Sequence, residues 1–189
     1  MAALRALLAP TGWPERARTF ARALRVSTAR RGGLLLVGTP AGEPWHLAAH
    51  LDDEARLSGV PELTPTLVRW QVPAGAPPHL RAGLERLEAA RRGETLFVVT
   101  PETAPVPLLE RVDDARRVGA TILALNQGDP ELDGLAHETL TVAPDAAAPV
   151  SFTVAQHLVS AAAGERATPR RGVRRRLAHL LEVVSGPPA

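Results

Sequence analysis

The sequence predicts an α/β protein built on a parallel sheet, and two observations support this prediction. Three short apolar runs, residues 34–38, 95–100 and 120–126, each have the length of one strand. They are apolar at consecutive positions, as strands covered on both faces are. Helix-sized segments separate these runs, which favours right-handed crossovers and a sheet with helices on both faces.

Two further segments complete a five-stranded sheet. Residues 66–72 alternate between apolar and polar side chains and are flanked by prolines, which is typical of an outer strand. Residues 139–142 form the last short run. Five such strands predict a doubly wound, flavodoxin-like sheet of order 2-1-3-4-5. The predicted helices, including one before and one after the sheet, cover residues 13–26, 44–57, 79–92, 107–118, 131–137, 151–164 and 173–184.

The composition excludes several kinds of chemistry. The 189 residues include 22 arginines but no lysine and no cysteine. A thiol nucleophile, a cysteine-ligated metal and a Schiff-base lysine are therefore excluded. No apolar run reaches the roughly 18 residues of a membrane span, and Arg5 comes too early for the apolar part of a signal peptide. We therefore expect a cytoplasmic protein.

Charge divides the chain into three segments. Residues 1–31 carry a net charge of +6, residues 32–165 carry −9, and residues 166–189 carry +5. These segments predict a basic helical N-terminus packed on the domain, an α/β domain, and an arginine-rich C-terminal helix. We do not expect nucleic-acid binding, because no aromatic residues lie among the clustered arginines to stack on bases. The basic ends are instead expected to contact the acidic domain or a second subunit.

Ligands of doubly wound sheets bind beyond the carboxyl ends of the strands, where the strand order reverses. In this chain that point lies between the first and third strands, at the loops 38–43 and 100–105. Each loop leads into a helix whose N-terminal amides favour anions, although the threonines there also suit helix caps. The candidate ligand-binding residues are Gly38, Thr39, Gly42, Thr100, Glu102 and Thr103.

Three segments resemble the sugar isomerase (SIS) domains. Residues 93–100 are similar to a Gly-Asp pair and the third strand of that family, and residues 115–126 to its helix–Gly–strand–Asn segment. Residues 129–138 resemble the helix that follows, with His137 where the family usually has Asp. The resemblance covers residues 15–165. It implies a protein that binds phosphorylated sugars or other carbohydrate derivatives as a dimer or tetramer, either as an isomerase or as a non-catalytic sensor.

The phosphate loop of the family, approximately Ser-x-Ser-Gly-x-Thr, corresponds here to Thr-Pro-Glu-Thr-Ala-Pro at residues 100–105. Only Thr100 keeps a hydroxyl in register, Glu102 replaces the second serine, and Pro101 and Pro105 remove two amide donors. We therefore expect a homodimer that binds a carbohydrate derivative of the phosphosugar type and is either non-catalytic or altered in its specificity. An active aldose–ketose isomerase and a scaffold for dimerisation and partner binding remain open as alternatives.

Isomerisation needs a group that moves a proton between carbons. The catalytic candidates are Glu43, at the start of the helix after the first strand, and His157, on the last helix of the domain. Both residues also fit structural roles. Glu43 suits the first turn of a helix, where the helix dipole favours an acid, and His157 suits the surface of its helix. His46 and His50 have a spacing that can hold a metal, but the sequence defines no further ligand, so we predict no metal site and no cofactor.

Overall fold

The computed structural model describes residues 8–77, 80–143 and 150–165. Its five strands pair in parallel in the order β2-β1-β3-β4-β5, which confirms the predicted doubly wound topology. The strands are β1 (Leu34–Val37), β2 (Thr66–Val68), β3 (Thr95–Thr100), β4 (Thr121–Asn126) and β5 (Glu138–Thr141).

Helices cover both faces of this sheet. They are α1 (Trp13–Ser27), α2 (Trp45–Ser58), α3 (Glu85–Glu88), α4 (Val106–Arg117), α5 (Pro130–Leu135) and α6 (Phe152–Gly164). Short 3-10 turns at Ala9–Thr11 and Pro61–Leu63 precede α1 and β2. Within the described residues, no helix is long and apolar enough to span a membrane.

Alternation along the buried strands sends neighbouring side chains to opposite cores. Phe97 and Val99 of β3 face the core formed with α1, α2 and α6, whereas Leu96 and Val98 face the core formed with α3, α4 and α5. All six residues of β3 are buried. This burial on both faces explains why the central strands are continuous apolar runs in the sequence.

The N-terminal helix α1 belongs to the same core as the sheet. Its Phe20 ring packs at 5.3 Å from the ring of Phe97, measured between centroids, and Leu24 is fully buried. Burying each of these side chains contributes about 1.5–3 kcal/mol. The division of the chain at residues 31 and 166 stays a prediction, and the predicted helix 173–184 lies outside the described residues.

The predicted helix 79–92 is wrong for most of its length. From residue 80 onward, only Glu85–Glu88 is α-helical. The Arg69 amide donates to the carbonyl of Ala82 at 2.8 Å, and Arg69 forms an isolated parallel bridge with Gly83. These contacts hold residues 82–83 extended beside the end of β2, so the helix cannot start before them.

Candidate functional site

The loop after β1 folds back tightly on itself at the point where the strand order reverses. A Cβ atom at Gly38 would lie 2.2 Å from the Gly42 carbonyl oxygen and 2.7 Å from Pro44 Cδ, so only glycine fits there. The Gly42 amide donates to both the carbonyl and the hydroxyl oxygen of Thr39, each at 3.1 Å. This turn fixes the buried Thr39 side chain at the carboxyl end of the sheet.

A hydrogen bond joins the two loops that flank the reversal point. The Thr39 hydroxyl donates to Glu102 Oε1 at 2.8 Å, although the two residues are 63 positions apart. Glu102 is exposed, so its carboxylate bridges from the β3 loop to the β1 loop at the protein surface. The hydroxyl that was expected to meet a ligand is thus already bonded to an acidic group of the protein.

A second carboxylate, from Asp129, reaches the β3 loop from the start of α5. Asp129 is buried and its Oδ2 accepts a hydrogen bond from the Ala104 amide at 2.7 Å. Its Oδ1 caps α5 by accepting from the amides of Glu131 and Leu132 at 3.1 and 3.2 Å. Sequence reasoning missed this residue as part of the site, although an Asp directly before Pro130 is a strong helix N-cap signal.

The other two threonines of the β3 loop differ in exposure. Thr100 is fully buried, and its hydroxyl has no hydrogen-bond partner in the described part of the chain. Thr103 is exposed and lines a recess of about 210 Å³ with Gln127 and Gly128. A ligand-binding role for either residue stays a prediction.

Glu43 anchors the segment that follows β2. Its carboxylate accepts hydrogen bonds from the Trp70 amide at 3.0 Å and from the Trp45 indole at 2.8 Å. Arg69 Nε lies 3.3 Å from Glu43 Oε2, and its guanidinium sits 4.5 Å above the Trp45 ring. Both side chains of the Glu43–Arg69 pair are about 15% exposed. The catalytic role of Glu43 stays a prediction.

Two open clefts lie on either side of Glu43. One, of about 510 Å³, is lined by polar side chains from α2, from the loop before it and from α6, together with Val99 and Pro101 at the end of β3. Its polar lining residues are Glu43, His46, Thr153 and Gln156. The other, of about 470 Å³, lies between Pro40 and residues 69–73. The first cleft borders both loops of the reversal point, because Gly42 and Pro101 also line it.

Three histidines converge beside the first cleft. His46 and His50 lie one turn apart on α2, and His157 lies on α6. The Nε2 atom of His46 is 3.2 Å from Nε2 of His157 and 3.1 Å from Nε2 of His50. Burial, followed by the neighbouring His50 and His46, lowers the pKa of His157. The lowered pKa favours the neutral imidazole of His157, and the catalytic role of this residue stays a prediction.

Comparisons with known proteins agree with this fold. No family model and no curated protein matches the sequence. Among solved structures, the sugar isomerase domain of an RpiR transcription factor from Sphaerobacter thermophilus is similar, with 18% identity, 89% of this chain and 87% of that chain covered, and a TM-score of 0.54. The Vibrio vulnificus NanR protein complexed with ManNAc-6P is 12% identical, with 97% and 68% coverage and a TM-score of 0.51.

A third similar structure, a candidate phosphosugar isomerase from Silicibacter pomeroyi, is 18% identical with a TM-score of 0.51. The match covers 95% of this chain and about half, 51%, of that protein. At these identities the likeness establishes the fold. It does not carry over the ligand or the activity of any of these proteins.

Proposed function

We propose, from the sugar isomerase fold of this chain, that it binds a carbohydrate derivative at the carboxyl edge of its sheet and does not isomerise it. The observation that carries this proposal is the open cleft of about 510 Å³ at the reversal point between β1 and β3. Doubly wound sheets bind their ligands at this place. Its walls offer the carboxylate, imidazole, hydroxyl and amide groups of Glu43, His46, Thr153 and Gln156, which suit a polyhydroxylated molecule.

The ligand we propose carries no phosphate group. Glu102 accepts the Thr39 hydroxyl hydrogen bond, and Asp129 accepts that of the Ala104 amide. An incoming phosphate would therefore meet carboxylates where it needs donors. Two like charges 4 Å apart repel by about 1 kcal/mol in water and about 4 kcal/mol near a protein surface. Specificity is thus altered towards hydroxyl or amino groups, which donate hydrogen bonds to carboxylates.

A non-catalytic role is supported by the contacts of Glu43. The base of an aldose–ketose isomerisation needs an oxygen that faces the substrate proton. Three donors, from Trp45, Arg69 and Trp70, already point at the Glu43 carboxylate. We therefore assign Glu43 to holding the cleft wall in place.

A homodimer is part of the proposal, and a light-scattering mass of 20.0 kDa, that of one chain, would contradict it.

A thermal-shift screen of the full chain, kept free of metal ions with a chelator, tests the ligand class. Neutral sugars, amino sugars and sugar phosphates are compared at millimolar concentration. We expect stabilisation by at least one non-phosphorylated sugar, since a ligand at a hundred times its Kd adds about 2.7 kcal/mol to folding. Equal stabilisation by sugar phosphates would contradict the proposed specificity. No stabilisation by any of the three classes would contradict sugar binding itself.

The role of Glu102 is tested by exchanging it for the serine of the family pattern. Glu102→Ser removes the carboxylate from the Thr39 hydroxyl, so we expect the variant to gain a response to sugar phosphates. Glu110→Ser is the matched control, because it removes the same charge from an exposed position of α4. If sugar phosphates cause no thermal shift in the Glu102→Ser variant, as expected for the wild type, Glu102 does not set the specificity.

A further inference from the structure

We propose that His46, His50 and His157 form a binding site for a divalent transition-metal ion of the zinc type. Each residue offers one ring nitrogen, and the three ligand atoms lie within 4.8 Å of one another. The two helices that carry them are distant in sequence, since His46 and His157 are 111 positions apart. This site lies beyond the sugar-binding proposal and does not depend on it.

The spacing of the nitrogens is that of a metal site. Tetrahedral zinc with Zn–N bonds of about 2.0–2.1 Å holds its nitrogen ligands about 3.3 Å apart. The Nε2 atom of His46 lies 3.2 Å from that of His157 and 3.1 Å from that of His50. Two of the three edges of the ligand triangle therefore already have the required length. The third edge is at most 4.8 Å, so one ring has to rotate to bring it to the same length.

Hydrogen bonding alone explains this cluster poorly. A ring nitrogen of histidine has one in-plane position, which is either one N–H donor or one lone pair. Nε2 of His46 lies within hydrogen-bond distance of two other Nε2 atoms. It can therefore form a well-directed hydrogen bond with only one of them in any tautomer. A metal ion removes this conflict, because all three nitrogens then present lone pairs to a single centre.

The setting of the three side chains suits an accessible ion. All three lie on helices that pack against each other, and buried Leu47 and Leu158 fix those helices to the core. His46 is exposed, whereas His50 and His157 are half-buried. Three protein ligands leave the fourth position of a tetrahedral ion free for water or another ligand. His46 also lines the 510 Å³ cleft, so the ion would lie beside the proposed sugar site.

The ligand set also predicts which ions bind. Imidazole nitrogens suit zinc, copper and nickel, whereas magnesium and calcium prefer oxygen ligands. We therefore expect zinc and cobalt(II) to bind and magnesium not to bind. The test uses the full chain without a polyhistidine tag, in isothermal titration calorimetry with zinc chloride and then with magnesium chloride. One zinc ion per chain with micromolar or tighter affinity is expected.

Single substitutions identify the ligands. His46→Ala and His157→Ala are each expected to weaken zinc binding at least about tenfold, because even the outer partners of metal ligands change affinity by about 10–100-fold. His137→Gln is the matched control, since His137 accepts a hydrogen bond from the Ile122 amide and is not part of the cluster. It is expected to bind zinc like the wild type.

Cobalt(II) absorption gives a second readout on the unaltered chain, independent of whether a variant folds. Tetrahedral coordination by nitrogen ligands gives intense visible bands, and the His46→Ala variant should lose them while it keeps the wild-type circular dichroism. The inference is overturned by an absence of zinc binding at one equivalent, by unchanged affinity in both alanine variants, or by the weak spectrum of octahedral cobalt.

Discussion

Replacing Gly38 by alanine tests whether the β1 loop is packed as tightly as the geometry indicates. The added Cβ would lie 2.2 Å from the Gly42 carbonyl oxygen and 2.7 Å from Pro44 Cδ. Because the closest of these atoms belongs to the backbone, a side-chain rotation cannot relieve the clash and the loop must move. Overpacking of this kind costs about 1–3 kcal/mol. For a chain of 150–250 residues that corresponds to a fall in Tm of about 2–12 °C.

Gly42 provides the matched control in the same loop. A Cβ there would meet its nearest neighbour, Thr39 Oγ1, at 3.4 Å, which is an ordinary contact. Gly42 also lacks the positive φ angle that disfavours alanine, so Gly42→Ala should leave the Tm within about 2 °C of the wild type or raise it slightly. Differential scanning calorimetry compares the two variants. Equal Tm values for both would refute the tight turn and the placement of Thr39 that depends on it.

Two further substitutions test carboxylates at the two ends of β3, Glu94 directly before the strand and Asp129 beside the loop that follows it. Burial alone would raise the pKa of Glu94, but hydrogen bonds from Arg86 and from the Arg91 amide outweigh it and lower that pKa below 4.5. The stabilisation is therefore present above about pH 4.5 and is lost as the pH falls through the folded-state pKa. Glu94→Gln should lower the free energy of unfolding, measured with urea, by about 1–3 kcal/mol at pH 7 and by less at pH 3. If the difference between variant and wild type is as large at pH 3 as at pH 7, the lowered pKa of Glu94 is contradicted. Asp129→Ala removes the cap of α5 and leaves the Ala104 amide without its acceptor, so a loss of about 2 kcal/mol is expected. Asp129→Asn should lose less stability than Asp129→Ala, because its amide oxygen can still accept from the α5 amides, although its NH2 group cannot accept from the Ala104 amide. Equal losses for both variants in the same assay would contradict the capping role.

The sheet was predictable because burial leaves a local signature in the sequence. Residues 34–37 and 95–100 are buried throughout, and a strand covered on both faces appears as an unbroken apolar run. The segment 80–92 was not predictable in the same way. Its leucines have helical spacing, but the bond from the Arg69 amide to Ala82 depends on a residue more than ten positions away.

The candidate site was likewise predictable only in part. The sequence placed Thr39 and Glu102 in the two loops of the reversal point, since strand order alone brings those loops together. It could not show that the two side chains bond to each other, because that depends on the exact turn at Gly38. The pairing of His157 with His46 depends on how α6 packs against α2. An HxxxH spacing on one helix does not contain that information.

The charge of the cleft depends on whether the histidines hold an ion. In the loops after β1 and β3, the Thr39 hydroxyl and the Ala104 amide already donate hydrogen bonds to the protein's own carboxylates. Arg69 lies close to the cleft, but its charge is paired with Glu43. Histidine binds a metal in its neutral form, so the three ligands would leave both positive charges of a divalent ion uncompensated. The metal-free cleft is therefore expected to favour neutral or cationic sugars, whereas the metal-loaded cleft is expected to attract anionic oxygens, for which the loop after β3 offers carboxylates instead of donors.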